Sequence, residues 1–298
     1  MNKVKRYTLV TLVIGSLLLF GLAACQPDGK GGDANEDTAL SIVEMTMADY
    51  AFGTPDSIPS SWMTFQIENV GAETHEFILG RLPGGKTFED LHSEVIQPLD
   101  SLQQLLIEGV IDSTEFAETR QQASPEWTGE IEVFGGGGLV GPGQTARTTL
   151  KLKPGEYVIV CSLLSPNGRR HDFQGMARPI IVTETSSETE APKADVTLRS
   201  VGREVSVDGQ LLSGEQTVAL HVEKTPEDLE FPYGSVFLAP LGQEEDAEDL
   251  LDYSEDLHSI EFLGGVLAVR LGRPATSRWT LSRDAMEGDC TTPKRRHW

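Results

Sequence analysis

Residues 157–176 read YVIVCSLLSPNGRRHDFQGM. The apolar run from Tyr157 to Val160 has the character of a buried strand, and it delivers Cys161 to the rim of a predicted β-structure. A turn-forming segment, Ser165-Pro166-Asn167-Gly168, follows, and then come His171 and Met176. A thiolate, an imidazole and a thioether in one loop are soft and borderline donors, which suit copper better than hard cations. A trigonal copper site also needs a second imidazole from elsewhere in the fold, and His75 is the candidate. Taken singly, each residue has a plainer reading. Cys161 can be a small buried hydrophobe, Met176 core filler, and His171, between Arg170 and Asp172, a solvated loop residue.

Working outward, the flanking sequence is β-like. Residues 146–152 read as a strand, Pro154-Gly155 as a turn, and residues 180–183 as a closing strand after Met176. Further upstream, Ile42, Val43, Met45 and Met47 lead towards Tyr50 and Phe52 as a first strand. Met63, Phe65 and Ile67 alternate with polar residues as a half-buried strand. Asn69-Val70-Gly71 turns the chain, and His75 opens an apolar strand through Phe77 to Leu79. The glycine run 135–138 lacks the Lys-Ser/Thr ending of a phosphate loop and the spacing of a dinucleotide fingerprint. Between these strands, Phe88, Leu91, Val95, Leu99, Leu102, Leu105 and Leu106 recur at three- and four-residue steps, which predicts a helical insert over about 86–122. Asp112-Ser113-Thr114 can cap a further short helix. The insert has two readings, a lid or partner-docking element and a cover over an open sheet edge; the second is preferred because nothing chemical sits on it.

The order of a strand, DYAF, a turn, FQIENVG and then His75 before a strand resembles the first half of a cupredoxin, the plastocyanin- and azurin-like blue-copper family. PGQTARTTLKLKPGEYVIVC, residues 142–161, is the most cupredoxin-like run. The resemblance implies a mainly-β, Greek-key sandwich over residues 39–184. It further implies a single type 1 copper ion in this N-terminal domain, bound by His75, Cys161, His171 and Met176. One departure stands out: nine residues separate Cys161 from His171, a longer spacing than in most blue-copper members of that family.

Residues 1–24 carry Lys3, Lys5 and Arg6 ahead of an apolar core and end in Leu22-Ala23-Ala24 before Cys25. The run is secretory in length and flanked like a signal peptide. Leu-Ala-Ala-Cys resembles a bacterial lipobox, which implies lipidation of Cys25 and a lipid-anchored protein on the outer face of a membrane. Gln26 after the cysteine resembles an outer-membrane address in a Gram-negative cell. Residues 25–38 read as a flexible tether. A formal charge of −22 repels nucleic-acid phosphates, so a DNA or RNA role is not expected; the acidic balance reads first as a solubility effect and second as a match for a redox partner with a basic face. Cys161 and Cys290 can alternatively pair as a disulfide, though no CxxC motif is present.

Residues 185–194 read as a low-complexity linker. Residues 195–298 read as a degenerate repeat of the first domain, a second cupredoxin-like β domain. Residues 213–224 match the Phe65 strand, and Val236-Phe237-Leu238 match the strand after His75. The acidic stretch 244–256 matches the insert, and Phe262-Leu263-Gly264-Gly265 matches the run from Phe134. Gly234 or Ser235 stands where His75 would be, so one copper site is expected. Two functions remain open: a membrane-anchored electron carrier, and a metal-free cupredoxin-like module that binds a protein or surface ligand. An enzyme is not expected, since the chain has no G-x-S-x-G elbow and no HExxH.

Overall fold

The computed structural model describes residues 6–13, 16–20, 40–184, 189–202, 204–212, 214–224, 233–241, 264–270 and 275–281. Cys25, the tether 25–38, linker residues 185–188, the acidic stretch 244–256, Phe262, Leu263, Cys290 and His297 lie outside the described residues. In chain order the strands are β1 (Arg6–Val13), β2 (Ser16–Phe20), β3 (Ser41–Ala48), β4 (Ala51–Gly53), β5 (Ser57–Pro59), β6 (Ser61–Asn69) and β7 (His75–Arg81). The helices α1 (Phe88–Leu91), α2 (Gln97–Ile107) and α3 (Ser113–Ala123) intervene. Then follow β8 (Glu132–Val140), β9 (Thr145–Leu152), β10 (Gly155–Val160), β11 (Ala177–Thr183), β12 (Val196–Val201), β13 (Glu204–Asp208), β14 (Gly214–Lys224), β15 (Tyr233–Leu241), β16 (Gly264–Arg270) and β17 (Ala275–Leu281).

The strands form two sheets, the mainly-β sandwich that the sequence leads one to expect. One runs β2-β1-β15-β16-β8-β7-β10-β11-β5 and the other β13-β12-β14-β17-β9-β6-β3-β4. Alternation decides which side chains fill the space between them: Val43, Met45 and Met47 on β3 and Met63, Phe65 and Ile67 on β6 are buried, with polar residues between them outside. Strand β10 differs because both of its faces are covered. Tyr157 and Ile159 enter the main core, while Val158 joins Leu82, Leu91 and Ile96 under the helices, with Val160 packed against them. A strand buried on both sides reads as a continuous apolar run, which is the YVIV pattern.

The helical insert therefore lies on the outer face of the β7–β10 sheet. That corrects the expectation that it covers an edge, since β7 and β10 are interior strands. Residues 88–107 are one helical run that widens into a π turn over His92–Ile96 just before Pro98. Proline has no N–H and its ring clashes with the carbonyl four residues back, so the backbone opens there. Asp112 caps α3 as expected, accepting from the Thr114 and Glu115 amides at 2.8 and 2.9 Å. No helix among the described residues is long and apolar enough to cross a membrane.

The glycine run 135–138 is part of β8, and close backbone approach explains it. A Cβ on Gly136 would run into the Phe77 carbonyl, and one on Gly138 would lie 2.6 Å from Gly265 Cα. Through these glycines β8 pairs with β7 on one side and β16 on the other.

The second half repeats the first strand by strand. β12 pairs with β13 antiparallel and β14 parallel, and β14 pairs with β17 antiparallel, as β3 pairs with β4 and β6, and β6 with β9. Even the bulge recurs: His75 faces Val140 and Phe77 faces Gly137, while Gly234 faces Val269 and Val236 faces Val266. Equivalent positions Gly137 and Val266 face each other across β8 and β16, so a local two-fold axis relates the copies. Strand β1 takes the place that β10 has in the first copy. Tyr7-Thr8-Leu9-Val10 stands against residues 240–237 in the register in which Tyr157-Val158-Ile159-Val160 stands against residues 81–78.

A chain lacking residues 1–24 loses the partner of β15, so amide hydrogen exchange in residues 235–241 should accelerate relative to the full chain, with β7 unaffected. Tyr157 is fully buried, its hydroxyl donating to the Lys153 carbonyl at 2.9 Å, and burial pushes its pKa from 10.0 up to about 12. A raised phenol pKa favours the folded state fully below pH 10, and that contribution drains away towards pH 12. Ultraviolet titration should show a tyrosine that ionises only towards pH 12 and is absent in Tyr157→Phe, whose stability should fall less over that window.

Candidate metal centre

The site is built from two turns and one loop. Asn69, wholly buried at the end of β6, donates through its side-chain amide to the carbonyls of Glu73 and Val140 at 2.8 and 2.7 Å. Its Oδ1 accepts from the Gly71 amide at 2.9 Å. This Asx turn fixes the entry to β7 and so points His75 into the sandwich. From the facing side, β10 ends at Cys161, whose N–H donates to the Met176 carbonyl at 3.1 Å.

The long spacing between Cys161 and His171 closes as a small hairpin. Leu164 and Arg170 form a β-bridge, the His171 amide donates to the Leu163 carbonyl at 2.9 Å, and the Asp172 amide donates to the Cys161 carbonyl at 2.9 Å. At its tip the Gly168 amide donates to the Ser165 carbonyl at 2.8 Å, with Gly168 at φ 81°, where a side chain would be strained. The extra residues thus lie in the hairpin and bring His171 back beside Cys161.

Helix α2 braces that hairpin. Arg169 makes two parallel bonds to Asp100, both 2.7 Å, the Arg170 amide donates to Gln103 Oε1 at 2.9 Å, and Gly168 lies against Ile107. The insert is therefore part of the site's support, a role that its sequence alone does not reveal.

At the centre, His75 Nδ1 and His171 Nδ1 are 3.0 Å apart and Cys161 Sγ is 3.4 Å from His171 Nδ1. The three donor atoms lie within 4.8 Å of one another and all three residues are 0% exposed. His75 Nε2 donates to Asp49 Oδ1 at 2.7 Å, and His171 Nε2 donates to Glu73 Oε2 at 2.9 Å. An ionised carboxylate only accepts, so each imidazole carries its proton on Nε2 and turns a lone pair inward at Nδ1. Two facing lone pairs at 3.0 Å need a proton or a metal cation between them. The sulfur accepts backbone N–H bonds from Glu76 and Leu163, but burial dominates and pushes the thiol far above its ordinary range, with the nearby Glu76 charge adding to the rise. Cys161 is a free thiol. Without a cation it holds its proton, and a soft metal would displace that proton on binding.

His75, Cys161 and His171, picked out from sequence, are thus brought together, and the reading of His171 as a solvated loop residue is corrected by its complete burial. Met176 is also 0% exposed, with its amide donating to the His171 carbonyl at 2.9 Å. Sequence reasoning missed Asp49 and Glu73. Nothing in their spacing marks them, although Asp49 is the first residue of the DYAF segment that carried the family resemblance.

No protein-family description matches this chain, and no curated protein matches it in sequence. Among solved structures it is similar to a dithionite-reduced auracyanin from the photosynthetic bacterium Roseiflexus castenholzii, with 16% identity over 49% of this chain and 98% of that one, TM-score 0.28. It is also similar to auracyanin A, a blue copper protein from Chloroflexus aurantiacus, with 14% identity over 49% of this chain and 100% of that one, TM-score 0.29. A blue copper oxidase from Nitrosomonas europaea matches at 9% identity over 82% of this chain and 76% of that one, TM-score 0.23. At such low scores the chemistry of this site is read from its donor atoms and not from these likenesses.

The brace is open to test. In a Cys25→Ser/Cys290→Ser background, Asp100→Ala should cost about 1 kcal/mol of stability and speed the reaction of Cys161 with a thiol reagent several-fold. Unchanged reactivity would separate the insert from the site.

Proposed function

We propose that this chain is a lipid-anchored type 1 copper protein that carries single electrons between partners outside the cytoplasm. One observation carries the reading: two imidazole Nδ1 atoms and one cysteine sulfur converge in a buried pocket, and a carboxylate oxygen lies at the Nε2 of each ring. Two imidazoles and a thiolate are the trigonal donor set of blue copper, and the charges and sizes fit that ion. His75, Cys161 and His171 would hold it, and Met176, buried and bonded through its backbone to Cys161 and His171, would offer a weaker thioether donor. Copper in such a set supplies a one-electron couple.

The protein's own residues supply the rest. The Glu76 and Leu163 amides support the sulfur, the hairpin and α2 resist rearrangement of its ligands, and the apolar core excludes water. A single ion in the first copy is the consistent count, since Gly234 occupies the register of His75 in the second. Anchoring rests on the Leu-Ala-Ala-Cys25 sequence, and maturation there would remove β1 and β2 and leave β15 as a sheet edge. A cationic face on the redox partner rests on the chain's charge of −22. The role is that of a carrier with no reaction of its own.

The test is the visible spectrum after addition of Cu(II), with Cys161→Ser alongside. An intense thiolate-to-copper band that the variant lacks is the expected result. No band and no tight binding would leave the metal-free binding module, with the exposed Leu105, Ile107 and Val110 at the end of α2 as its first surface to examine.

A further inference from the structure

Both inward-facing histidines end on a carboxylate, and each carboxylate is itself held. Asp49 accepts from His75 Nε2, from the Ala72 amide at 2.8 Å and from the Glu73 amide at 3.3 Å. Gly71 makes room for it, since a Cβ there would strike the Asp49 carboxylate and lie 2.9 Å from His75 Nε2. Glu73 accepts from His171 Nε2 on one oxygen and from the Tyr50 hydroxyl at 2.7 Å on the other. Tyr50 is fixed in turn: Ser165 donates to its hydroxyl at 3.0 Å, and its ring packs edge-on against His171 with centroids 5.0 Å apart. The side chains of Asp49 and Glu73 are 27% and 19% exposed, so each spans from the buried pocket towards solvent.

A backbone carbonyl or a water would satisfy an imidazole N–H equally well as a hydrogen bond. A carboxylate, like a carbonyl and unlike a water, cannot donate back to the ring, so it forbids the alternative tautomer. What it adds over both is a full negative charge one ring away from the metal position, and an anion there stabilises the more highly charged ion. With the thiolate, the pocket then offers three negative groups around one cation.

We infer that Asp49 and Glu73 are positioning residues that preset both imidazoles with Nδ1 turned inward and bias a bound copper ion towards its oxidised form. The inference rests on the copper reading of this pocket. Asp49 acts through His75 and Glu73 through His171, from one pair of neighbouring turns, so loss of either should weaken one histidine while leaving the other in place. The bias makes the centre a comparatively strong reductant for its ligand set, which suits delivery of electrons to an acceptor.

The experiment uses the full chain and the near-isosteric variants Asp49→Asn and Glu73→Gln. Long-range proton–nitrogen NMR on the metal-free protein reads the tautomers directly. Wild type should show both histidines protonated at Nε2, and each amide variant should mix tautomers in its own histidine alone. Competition against chelators then gives affinities for Cu(II) and Cu(I). Each variant should lower the preference for Cu(II) about tenfold, which for one electron raises the potential by about 59 mV. Copper binding with tautomers and affinity ratio unchanged in both variants overturns the positioning role and leaves the copper reading intact. Wild type that binds no copper overturns the copper reading, and with it the bias, while the tautomer result still decides whether the histidines are preset. Should a variant fail to fold, a wild-type spectrum with mixed tautomers at either histidine overturns the inference.

Discussion

Two imidazole nitrogens with their lone pairs turned towards each other at 3.0 Å, and a sulfur 3.4 Å from one of them, are an arrangement that repels itself unless a cation or a proton sits among them. Much of the first copy serves to sustain it. Asn69 pins the turn before His75, the β10 strand sets the height of Cys161, and the hairpin returns His171. The carboxylates on the far side of both rings keep the lone pairs pointing inward. Burial withholds water, so the repulsion cannot be relieved by solvation.

The pairing of the two copies shows how one scaffold carries chemistry in one place and not in another. Backbone register is preserved down to the bulge at His75, because that bulge is set by hydrogen bonding between β7 and β8 and between β15 and β16. The side chain is not preserved, and Gly234 at the equivalent place offers no donor. The copies are joined by strand pairing across glycines that allow backbones to approach, so the second copy extends both sheets of the first and covers edges that would otherwise be open.

Several features were legible before any coordinates. Alternation in β3 and β6, the three- and four-residue spacing of the insert, the cap at Asp112 and the repeat of the strand order all stem from local periodicity, which depends on side chains a few residues apart. His75, Cys161 and His171 were recognisable because the order of donor types along the chain is itself a pattern. The seat of the insert was not legible: residues 88–107 show an apolar stripe, and a stripe does not say whether it meets an edge, a face or a loop.

By itself the sequence determined the β-rich layering, the position of the helices and the identity of the inward donors, since each of these is written in residue type and short-range spacing. Only the tertiary structure decided that His75 and His171 meet nitrogen to nitrogen, that Asp49 and Glu73 cap them, and that α2 grips the metal hairpin through Asp100 and Arg169. The reason is physical. A hydrogen bond of 2.7 Å between residues far apart in the chain is fixed by the packing of whole sheets and turns, and no local periodicity encodes which carboxylate that packing brings within reach.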